Sequence, residues 1–409
     1  MKKIIISILI VTFLIVMIFV GIKLSEKYVM QNTNMTLKEA VSTTFLKEKS
    51  SNEDKENELV VVELEKKEDI KVSMSVIGDI MCHNSQYNDA YKNGEYDFSY
   101  VFEDIKQYIE PADLAIGNLE TTFRGKEKGY SSYPTFNTPE VLAQDLKELG
   151  IDVVSTANNH SLDTGYLGIE STIDYLDEAG ILHTGTYKSE EDQNKIVVKE
   201  INGLKFAFLA YTYGTNGIPV PSGKEYCINL IDKELIKSHL DMAKNINPDV
   251  ICVNMHWGIE YQNIPNDEQE DLANFLFENG ADIILGSHPH VLQKMEERDI
   301  ILPNDDMKKG FVIYSLGNFM SGQTKANTRN SIILTLDVIK SGETGKLSFE
   351  NINYIPIYTF TSPNFKNYKV LDIRSAIGRY ENGEEGRVSK QYYDLLVKEL
   401  EHVNYTVGY

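Results

Sequence analysis

From Ile70 onward the chain alternates short apolar runs with segments of helical periodicity, and this alternation limits its fold more than any other feature. Short apolar runs bounded by glycine or polar residues are typical of buried strands, whereas apolar residues spaced three and four apart are typical of amphipathic helices. Leu142, Leu146 and Leu149, for example, predict a helix that ends at Gly150. Strands that alternate with helices are characteristic of α/β proteins. We therefore predict an α/β fold for this region.

The same patterns place the individual elements. We predict strands at residues 71–77, 114–117, 153–157, 204–211, 250–255, 283–285, 311–315, 331–338 and 348–357. We also predict a final amphipathic helix at 388–402, because its apolar residues recur at helical spacing. We find no internal repeats, so nothing predicts a solenoid.

Six side chains with oxygen or nitrogen donors lie just past the predicted strands. They are Asp79, Glu120, Asn159, His256, His288 and His290. Because the carboxyl ends of the strands in an open α/β sheet form the edge where ligands bind, we expect these side chains to lie close together. Imidazoles and carboxylates are common ligands of divalent metal ions. The pattern predicts a metal centre, although each residue alone also fits a turn, a helix cap or a packed core position.

The stretch 281–293, ADIILGSHPHVLQ, shows this pattern most clearly. Its apolar run stops at Gly286, and two imidazoles, His288 and His290, follow on either side of Pro289. A strand that ends at a glycine and is followed by two histidines in a rigid turn provides half of a metal site.

Composition excludes several other functions. The formal net charge of −21 argues against a nucleic-acid partner, because nucleic-acid binding requires clustered Lys and Arg. Cys82, Cys227 and Cys252 are too few and too scattered for a disulfide framework or a thiolate zinc site. An anionic substrate would need a local cation on so acidic a protein, and a bound metal ion would provide one.

The amino-terminal stretch 4–22 is uncharged and rich in Ile, Val, Leu and Phe, with lysines on both sides. As a helix it is long enough to cross about 30 Å of hydrocarbon. It is longer than the usual apolar region of a signal peptide, and no small-residue cleavage site follows it. We therefore predict an uncleaved transmembrane signal anchor rather than a cleaved signal peptide. The protein is then a single-pass protein of the cell membrane, and its main domain is extracytoplasmic.

Six ordered motifs resemble those of a known family. They are GDIM (78–81), GNLE (117–120), ANNHSLDTG (157–165), HWGIEY (256–261), GSHPHVLQ (286–293) and YSLGNF (314–319). As a set they are similar to the successive motifs of the CapA family, also called PgsA, which is associated with poly-γ-glutamate capsule synthesis. This family in turn resembles calcineurin-like metallophosphoesterases. The resemblance implies a sandwich of two mixed sheets flanked by helices, preceded here by the amino-terminal transmembrane helix.

Composition and the resemblance together divide the chain into four predicted segments. These are a signal anchor at 1–24, a charged linker at 25–70, a CapA-like metallophosphoesterase-type domain at 71–360 and a carboxyl-terminal extension with a helix at 361–409.

The resemblance also implies roles for the residues that match the motifs. Asp79 and His290 would hold one metal ion; Asn159, His256 and His288 would hold a second; Glu120 would bridge them. His160 would be the general acid that protonates a leaving oxygen, with Asp163 orienting its imidazole. The expected cofactor is one or two divalent ions of the Mn, Fe or Zn type. One departure leaves the number of ions open, because the Asp-x-His motif of the phosphoesterases is here Asp79-Ile80-Met81.

Two functions are compatible with these observations. The first is a surface-facing protein of capsule biosynthesis or export, whose pocket binds or processes an anionic polymer such as poly-γ-glutamate. Its further partners would be other membrane components of capsule synthesis and the membrane itself. The second is a membrane-anchored, metal-dependent hydrolase that acts on a phosphoester of the cell envelope. Retention of Asn159 and His160 favours the second function, and the family motifs with the anchor favour the first.

Overall fold

A computed structural model describes residues 67–302, 306–362, 366–384 and 389–408. The predicted signal anchor and most of the predicted linker lie outside these residues. Among the helices of the described residues, none is both long enough and apolar enough to span a membrane.

The described residues form strands and helices in frequent alternation. The strands are β1 (Ile70–Ile80), β2 (Tyr91–Lys92), β3 (Glu95–Tyr96), β4 (Leu114–Leu119), β5 (Val153–Ser155), β6 (Leu182–Thr184), β7 (Val197–Ile201), β8 (Leu204–Thr212), β9 (Val250–His256), β10 (Ile283–Ser287), β11 (Met295–Ile301), β12 (Met307–Ile313), β13 (Asn318–Met320), β14 (Asn330–Lys340), β15 (Leu347–Phe360) and β16 (Lys369–Asp372). The α-helices are α1 (Asn84–Ala90), α2 (Lys106–Ile109), α3 (Val141–Leu149), α4 (Tyr166–Ala179), α5 (Glu190–Gln193), α6 (Lys233–Asn245), α7 (Asp267–Glu278), α8 (Ile373–Glu381) and α9 (Lys390–Val407). Short 3₁₀ turns occur at Ser99–Val101, Lys126–Lys128 and Glu225–Cys227.

These strands form two mixed sheets and one small hairpin of β2 and β3. The first sheet has the order β16-β15-β14-β1-β4-β5-β6, and β13 pairs separately with β1. In this sheet β1, β4, β5 and β6 run parallel, whereas β14, β15 and β16 are joined in antiparallel fashion. The second sheet has the order β11-β12-β10-β9-β8-β7, with β8, β9, β10 and β12 parallel and β7 and β11 antiparallel at its edges.

The two sheets pack face to face, with helices on their outer faces. One apolar core contains Val72 and Ile116 of the first sheet together with Phe208 and Leu285 of the second. A second core joins the outer face of the first sheet to α3 and α4, and a third joins the outer face of the second sheet to α6 and α7. Because helices cover these faces, the central strands are buried on both sides and appear in the sequence as near-continuous apolar runs.

The predicted α/β class and the two mixed sheets are confirmed. Strand bounds are less accurate at the edges: β12 begins at Met307, although the sequence predicts a strand only from residue 311. Its first residues pair with β11 at the edge of the sheet, where side chains are partly exposed and the apolar signal is weak. The final helix, predicted at 388–402, is observed as α9 and ends at Val407, which is buried in the core between the sheets.

Candidate metal centre

Parallel strands bring the predicted donors to one edge of the sandwich. Asp79 near the end of β1 is in register with Asn118 of β4 on one side and with Asn318 of β13 on the other. In the second sheet, His256 at the end of β9 is in register with Ser287, the last residue of β10. Side chains that are distant in sequence therefore meet where these strands end.

The donors fall into three overlapping groups, and within each group the ligand atoms lie within 4.8 Å of one another. The groups are Glu120 with His256 and His288, Asp79 with Glu120 and His290, and Glu260 with His288 and His290. Each of the first two contains residues expected to hold one of the two predicted ions, and Glu120 is common to both. The described residues thus include donor groups for one or two divalent ions.

Glu120 shows most directly that the site fits a cation. Its carboxylate is fully buried, and its Oε1 atom has no hydrogen-bond partner. Burial raises the pKa of Glu120 well above its usual range, and the carboxylates of Asp79, Glu260 and Asp163 raise it further. An unsatisfied buried polar group costs about 1–3 kcal/mol, and more when it is charged. A cation held by Glu120 would remove this cost and favour the ionised carboxylate.

His256, Asn159 and Glu120 converge from three different strand ends. His256 Nε2 lies 2.8 Å from Asn159 Oδ1 and 3.5 Å from Glu120 Oε1. Burial and the neighbouring imidazoles lower the pKa of His256 well below its usual range, so the ring is neutral at neutral pH. A neutral imidazole is the form that binds a metal ion. The three side chains therefore suit one metal position.

His288 carries the second unpartnered atom of the centre. Its side chain is buried, and its Nδ1 atom has no hydrogen-bond partner. Burial, followed by the neighbouring His290, lowers the pKa of His288 to about 3, so this ring is also neutral. The exposed ring of Tyr213 packs against it with a centroid separation of 4.4 Å. His288 thus offers a free nitrogen next to a ring that borders solvent.

The backbone at the His288-Pro289-His290 turn adopts an uncommon conformation. His288 has a φ of 98° and His290 a φ of 58°, in the left-handed region that residues other than glycine seldom adopt. Strained residues of this kind are concentrated at functional sites, where the surrounding structure holds them. The turn directs both imidazoles toward the carboxylates of the first sheet, as their shared donor groups show.

Glycine allows the two strands beside Asp79 to approach closely. A Cβ atom on Gly78 would lie 1.9 Å from the carbonyl oxygen of Gly317, so only glycine fits. The next residue, Asp79, donates its backbone N–H to that same oxygen at 2.9 Å. The glycine of the GDIM motif thereby places Asp79 beside Asn318.

The predicted acid, His160, lies beside Asp163 as expected. His160 Nδ1 is 2.7 Å from Asp163 Oδ2, and the same oxygen accepts the backbone N–H of Phe136 at 2.6 Å. The ring of Phe136 also meets the imidazole edge to face, with centroids 4.8 Å apart. Asp163 and Phe136 therefore fix the orientation of His160 and leave its Nε2 atom as the one that can exchange a proton with a ligand.

Met81 stands where the Asp-x-His motif has a histidine, and neither Met81 nor its neighbours Cys82 and His83 supply a replacement donor. Met81 is buried, and its Sδ atom accepts a hydrogen bond from Ser321 Oγ at 3.9 Å. His83 accepts the backbone N–H of Gly322 through Nδ1, and Cys82 is buried in an apolar cluster. None of the three belongs to a donor group among the described residues.

Three residues of the centre were not among the predicted ligands. Asn118 donates through Nδ2 to Asp79 Oδ1 at 2.8 Å, and Asn318 Oδ1 lies 3.0 Å from His290 Nδ1. Glu260 belongs to the third donor group. Asn118, Asn318 and Glu260 lie inside the motifs GNLE, YSLGNF and HWGIEY, respectively, so these motifs are the sequence signal that points to them.

Fold and site together define a two-sheet α/β protein with a candidate metal centre at the carboxyl ends of its parallel strands. The family model of the bacterial capsule synthesis protein PGA_cap matches residues 73–323, which include all six motifs, and the chain belongs to this family. The family predicted from the motifs is thus confirmed.

Two relatives support this assignment. The chain is 30% identical over 289 residues to the capsule biosynthesis protein CapA of Bacillus anthracis, with 69% of this chain and 67% of that protein covered. It is 30% identical over 297 residues to the PGA biosynthesis protein CapA of Bacillus subtilis (strain 168), with 69% and 71% covered.

Alignments with solved structures are more distant. A calcineurin-like phosphoesterase, YfkN from Bacillus subtilis, aligns with a TM-score of 0.41 at 15% identity, covering 70% of this chain and 90% of that chain. The NAD nucleotidase NadN of Haemophilus influenzae aligns with a TM-score of 0.43 at 14% identity, covering 83% of this chain and 61% of that chain.

Proposed function

We propose that this protein is a membrane-anchored, extracytoplasmic component of poly-γ-glutamate capsule synthesis or export, and that it binds the anionic polymer at the metal centre. The observation that carries the proposal is the pair of buried, unpartnered ligand atoms, Glu120 Oε1 and His288 Nδ1, which belong to the same donor group. When bound there, a divalent ion supplies a local positive charge that attracts a carboxylate. Without it, a chain of net charge −21 would repel such a polymer.

Side chains beside the centre support an anionic ligand. The ring of Tyr261 lies 6.2 Å from the ring of His290, and the exposed Lys325 places its Nζ atom 3.6 Å from the centre of the Tyr261 ring. Lys325 thus adds a second positive charge close to the donor groups. A cation held over an aromatic ring in this way keeps a defined position while it remains accessible to solvent.

Membrane anchorage is part of the proposal and rests on the sequence. The uncharged stretch 4–22 has the length of a membrane-spanning helix, and the mainly polar residues 25–70 would separate it from the folded domain. A carboxyl-terminal tag on the full chain should be digested by protease added to intact cells. A tag that remains protected would reverse the orientation.

The polymer-binding proposal is tested with the full-length chain in detergent, loaded with Mn²⁺. We expect poly-γ-glutamate oligomers to bind, and neutral dextran of similar length not to bind. His288→Ala should lower bound metal and weaken oligomer binding by at least about tenfold, whereas His183→Ala, at a histidine outside the three donor groups, should change neither. Oligomer binding that persists unchanged in metal-free protein would rule out the metal centre as the binding site.

A second candidate function, a metal-dependent hydrolase of phosphoesters in the envelope, is favoured by one specific observation. His160 is buried and fixed by Asp163 at 2.7 Å, an arrangement that suits a general acid. A protein that only binds a polymer has no need of such a pair. Hydrolysis of a model phosphodiester by the metal-loaded chain would favour this candidate, and the absence of any turnover with bound metal would remove most of its support.

A further inference from the structure

Glu260 differs from the other donors of the centre because it is exposed. The remaining members of the three donor groups, Asp79, Glu120, His256, His288 and His290, are all buried. Glu260 shares a group with His288 and His290, and this group does not include Glu120. Its carboxylate therefore approaches the two imidazoles from the side of the centre that is open to solvent.

The loop that carries Glu260 is attached to the His288-Pro289-His290 turn at both ends. Trp257 donates its backbone N–H to Ser287 O at 3.1 Å, and Tyr261 donates its own to Pro289 O at 2.8 Å. Two residues of the loop, Gly258 and Tyr261, have positive φ values of 83° and 69°. These contacts hold Glu260 over the turn, so its place beside the imidazoles follows from the backbone and not only from its side-chain rotamer.

The donor count gives this carboxylate a role. The position that Asp79, Glu120 and His290 would form lacks the histidine that the Asp-x-His motif normally supplies, and the thioether of Met81 is a poor ligand for hard metal ions. His288 also retains an unpartnered buried nitrogen. Glu260 shares a donor group with both His288 and His290. Its carboxylate therefore adds one ligand atom to the centre next to the unpartnered nitrogen of His288.

We propose that Glu260 is a metal ligand of this centre, and that together with His288 and His290 it holds a divalent ion at the solvent-facing side. The proposal rests on the metal centre and not on the identity of the polymer. In this arrangement Glu260 adds a carboxylate donor beside His290, whose other donor group lacks the motif histidine.

The test is a Co²⁺ titration of the full-length chain, in which visible absorption reports the coordination of the ion and dialysis reports its affinity. Glu260→Gln keeps the size of the side chain and removes its charge. We expect at least one Co²⁺ to bind about tenfold or more weakly in this variant, with altered absorption bands. Glu268→Gln, at an exposed glutamate in the first turn of α7, is the matched control and should resemble the unmodified chain.

The outcomes separate this proposal from the others. If Glu260→Gln binds Co²⁺ with the affinity and spectrum of the Glu268→Gln control, Glu260 is not a ligand and only this proposal fails. If the unmodified chain binds no Co²⁺, the metal centre itself is refuted. Neither result depends on polymer binding, because no polymer is present in the titration. Circular dichroism of both variants checks that the exposed substitutions leave the fold intact.

Discussion

His290 Nδ1 lies 3.0 Å from Asp79 Oδ2, although 211 residues separate the two in the chain. A carboxylate accepts hydrogen bonds, so Nδ1 is the donor in this contact and Nε2 is the ring nitrogen that remains as a ligand atom. Nε2 is 3.8 Å from Glu120 Oε1. Asp79 thus belongs to a donor group and also orients the imidazole of another donor.

The Asp79 and His290 pair should behave as one unit in metal binding. We expect Asp79→Ala and His290→Ala each to weaken Mn²⁺ binding by about 10- to 100-fold, because partners that orient a ligand have effects of that size. The double variant should lose less than the sum of the two single losses, because removing either residue already disables the other. Equilibrium dialysis of the four proteins measures this coupling. Strict additivity would show that the two residues act independently.

His160 gives the prediction that separates the two candidate functions. If the metal-loaded chain hydrolyses a model phosphodiester, His160→Gln should lower the rate by about 10²- to 10⁴-fold, the usual contribution of a general acid. Bound metal should not change, because His160 belongs to none of the donor groups among the described residues. Asp163→Asn should give a smaller loss together with a changed pH–rate profile, since Asp163 only orients the imidazole. A loss of metal in His160→Gln would instead make His160 a ligand.

Donors expected from the sequence lie close together in the structure because they occur in contiguous motifs at the ends of apolar strands. Asp79, Glu120 and His256 all lie at or near a strand end, and the parallel strands of each sheet bring such ends together. The sequence did not predict which residues of the two sheets approach each other across the sandwich. The contact between His256 of the second sheet and Asn159, in the loop after β5 of the first sheet, depends on how the two sheets pack, and no local pattern encodes that packing.

A different physical reason explains why the sequence did not predict Asn118, Asn318 and Glu260 as part of the centre. Asn118 and Asn318 flank Asp79 through strand register, and register cannot be read from one strand alone. Glu260 is an exposed glutamate in a loop, a type and place that usually indicate nothing more than a solvated surface. Edge strands such as β11 escaped prediction because one side of each lacks a neighbour and its residues are partly exposed.

Buried His239 should lower the free energy of unfolding at acid pH, because the folded state resists its protonation. The hydroxyl oxygen of Tyr211 lies 3.0 Å from His239 Nδ1, His239 Nε2 is buried without a hydrogen-bond partner, and burial lowers the pKa of His239 to about 4. The unfolded chain binds this proton near pH 6.5, so the contribution of neutral His239 to stability is complete above pH 6.5 and is lost as the pH falls toward 4.

Urea unfolding at pH 7.0, 5.5 and 4.5 measures this effect against His239→Gln, whose side-chain oxygen can still accept from Tyr211. The unmodified chain should lose up to about 3 kcal/mol more than the variant over this range, because one pKa unit corresponds to about 1.4 kcal/mol. Contributions from the histidines of the metal centre are common to both proteins and cancel in the comparison. Parallel pH profiles would mean that His239 does not titrate between these limits.

A histidine at position 81, as in the Asp-x-His motif, should strengthen metal binding at the position that Asp79, Glu120 and His290 would form. Met81 follows Asp79 by two residues, and its backbone N–H donates to Met320 O at 2.7 Å. Side chains two residues apart on an extended segment share a face, which predicts that position 81 faces the same side as Asp79. Met81→His therefore adds an imidazole next to Asp79 in place of a thioether that hard metals bind poorly. We expect Mn²⁺ to bind about tenfold or more tightly, with the stoichiometry closer to two ions per chain.

Met81→Leu is the control for this substitution, because it removes the sulfur and keeps an apolar side chain of similar volume. It should leave Mn²⁺ binding unchanged, since Met81 belongs to no donor group among the described residues. Equal affinity in Met81→His and Met81→Leu would mean that the new imidazole cannot reach the ion. In that case the donors already present, including Glu260, would form the complete ligand set, and the missing histidine would be a feature of this centre rather than a defect in it.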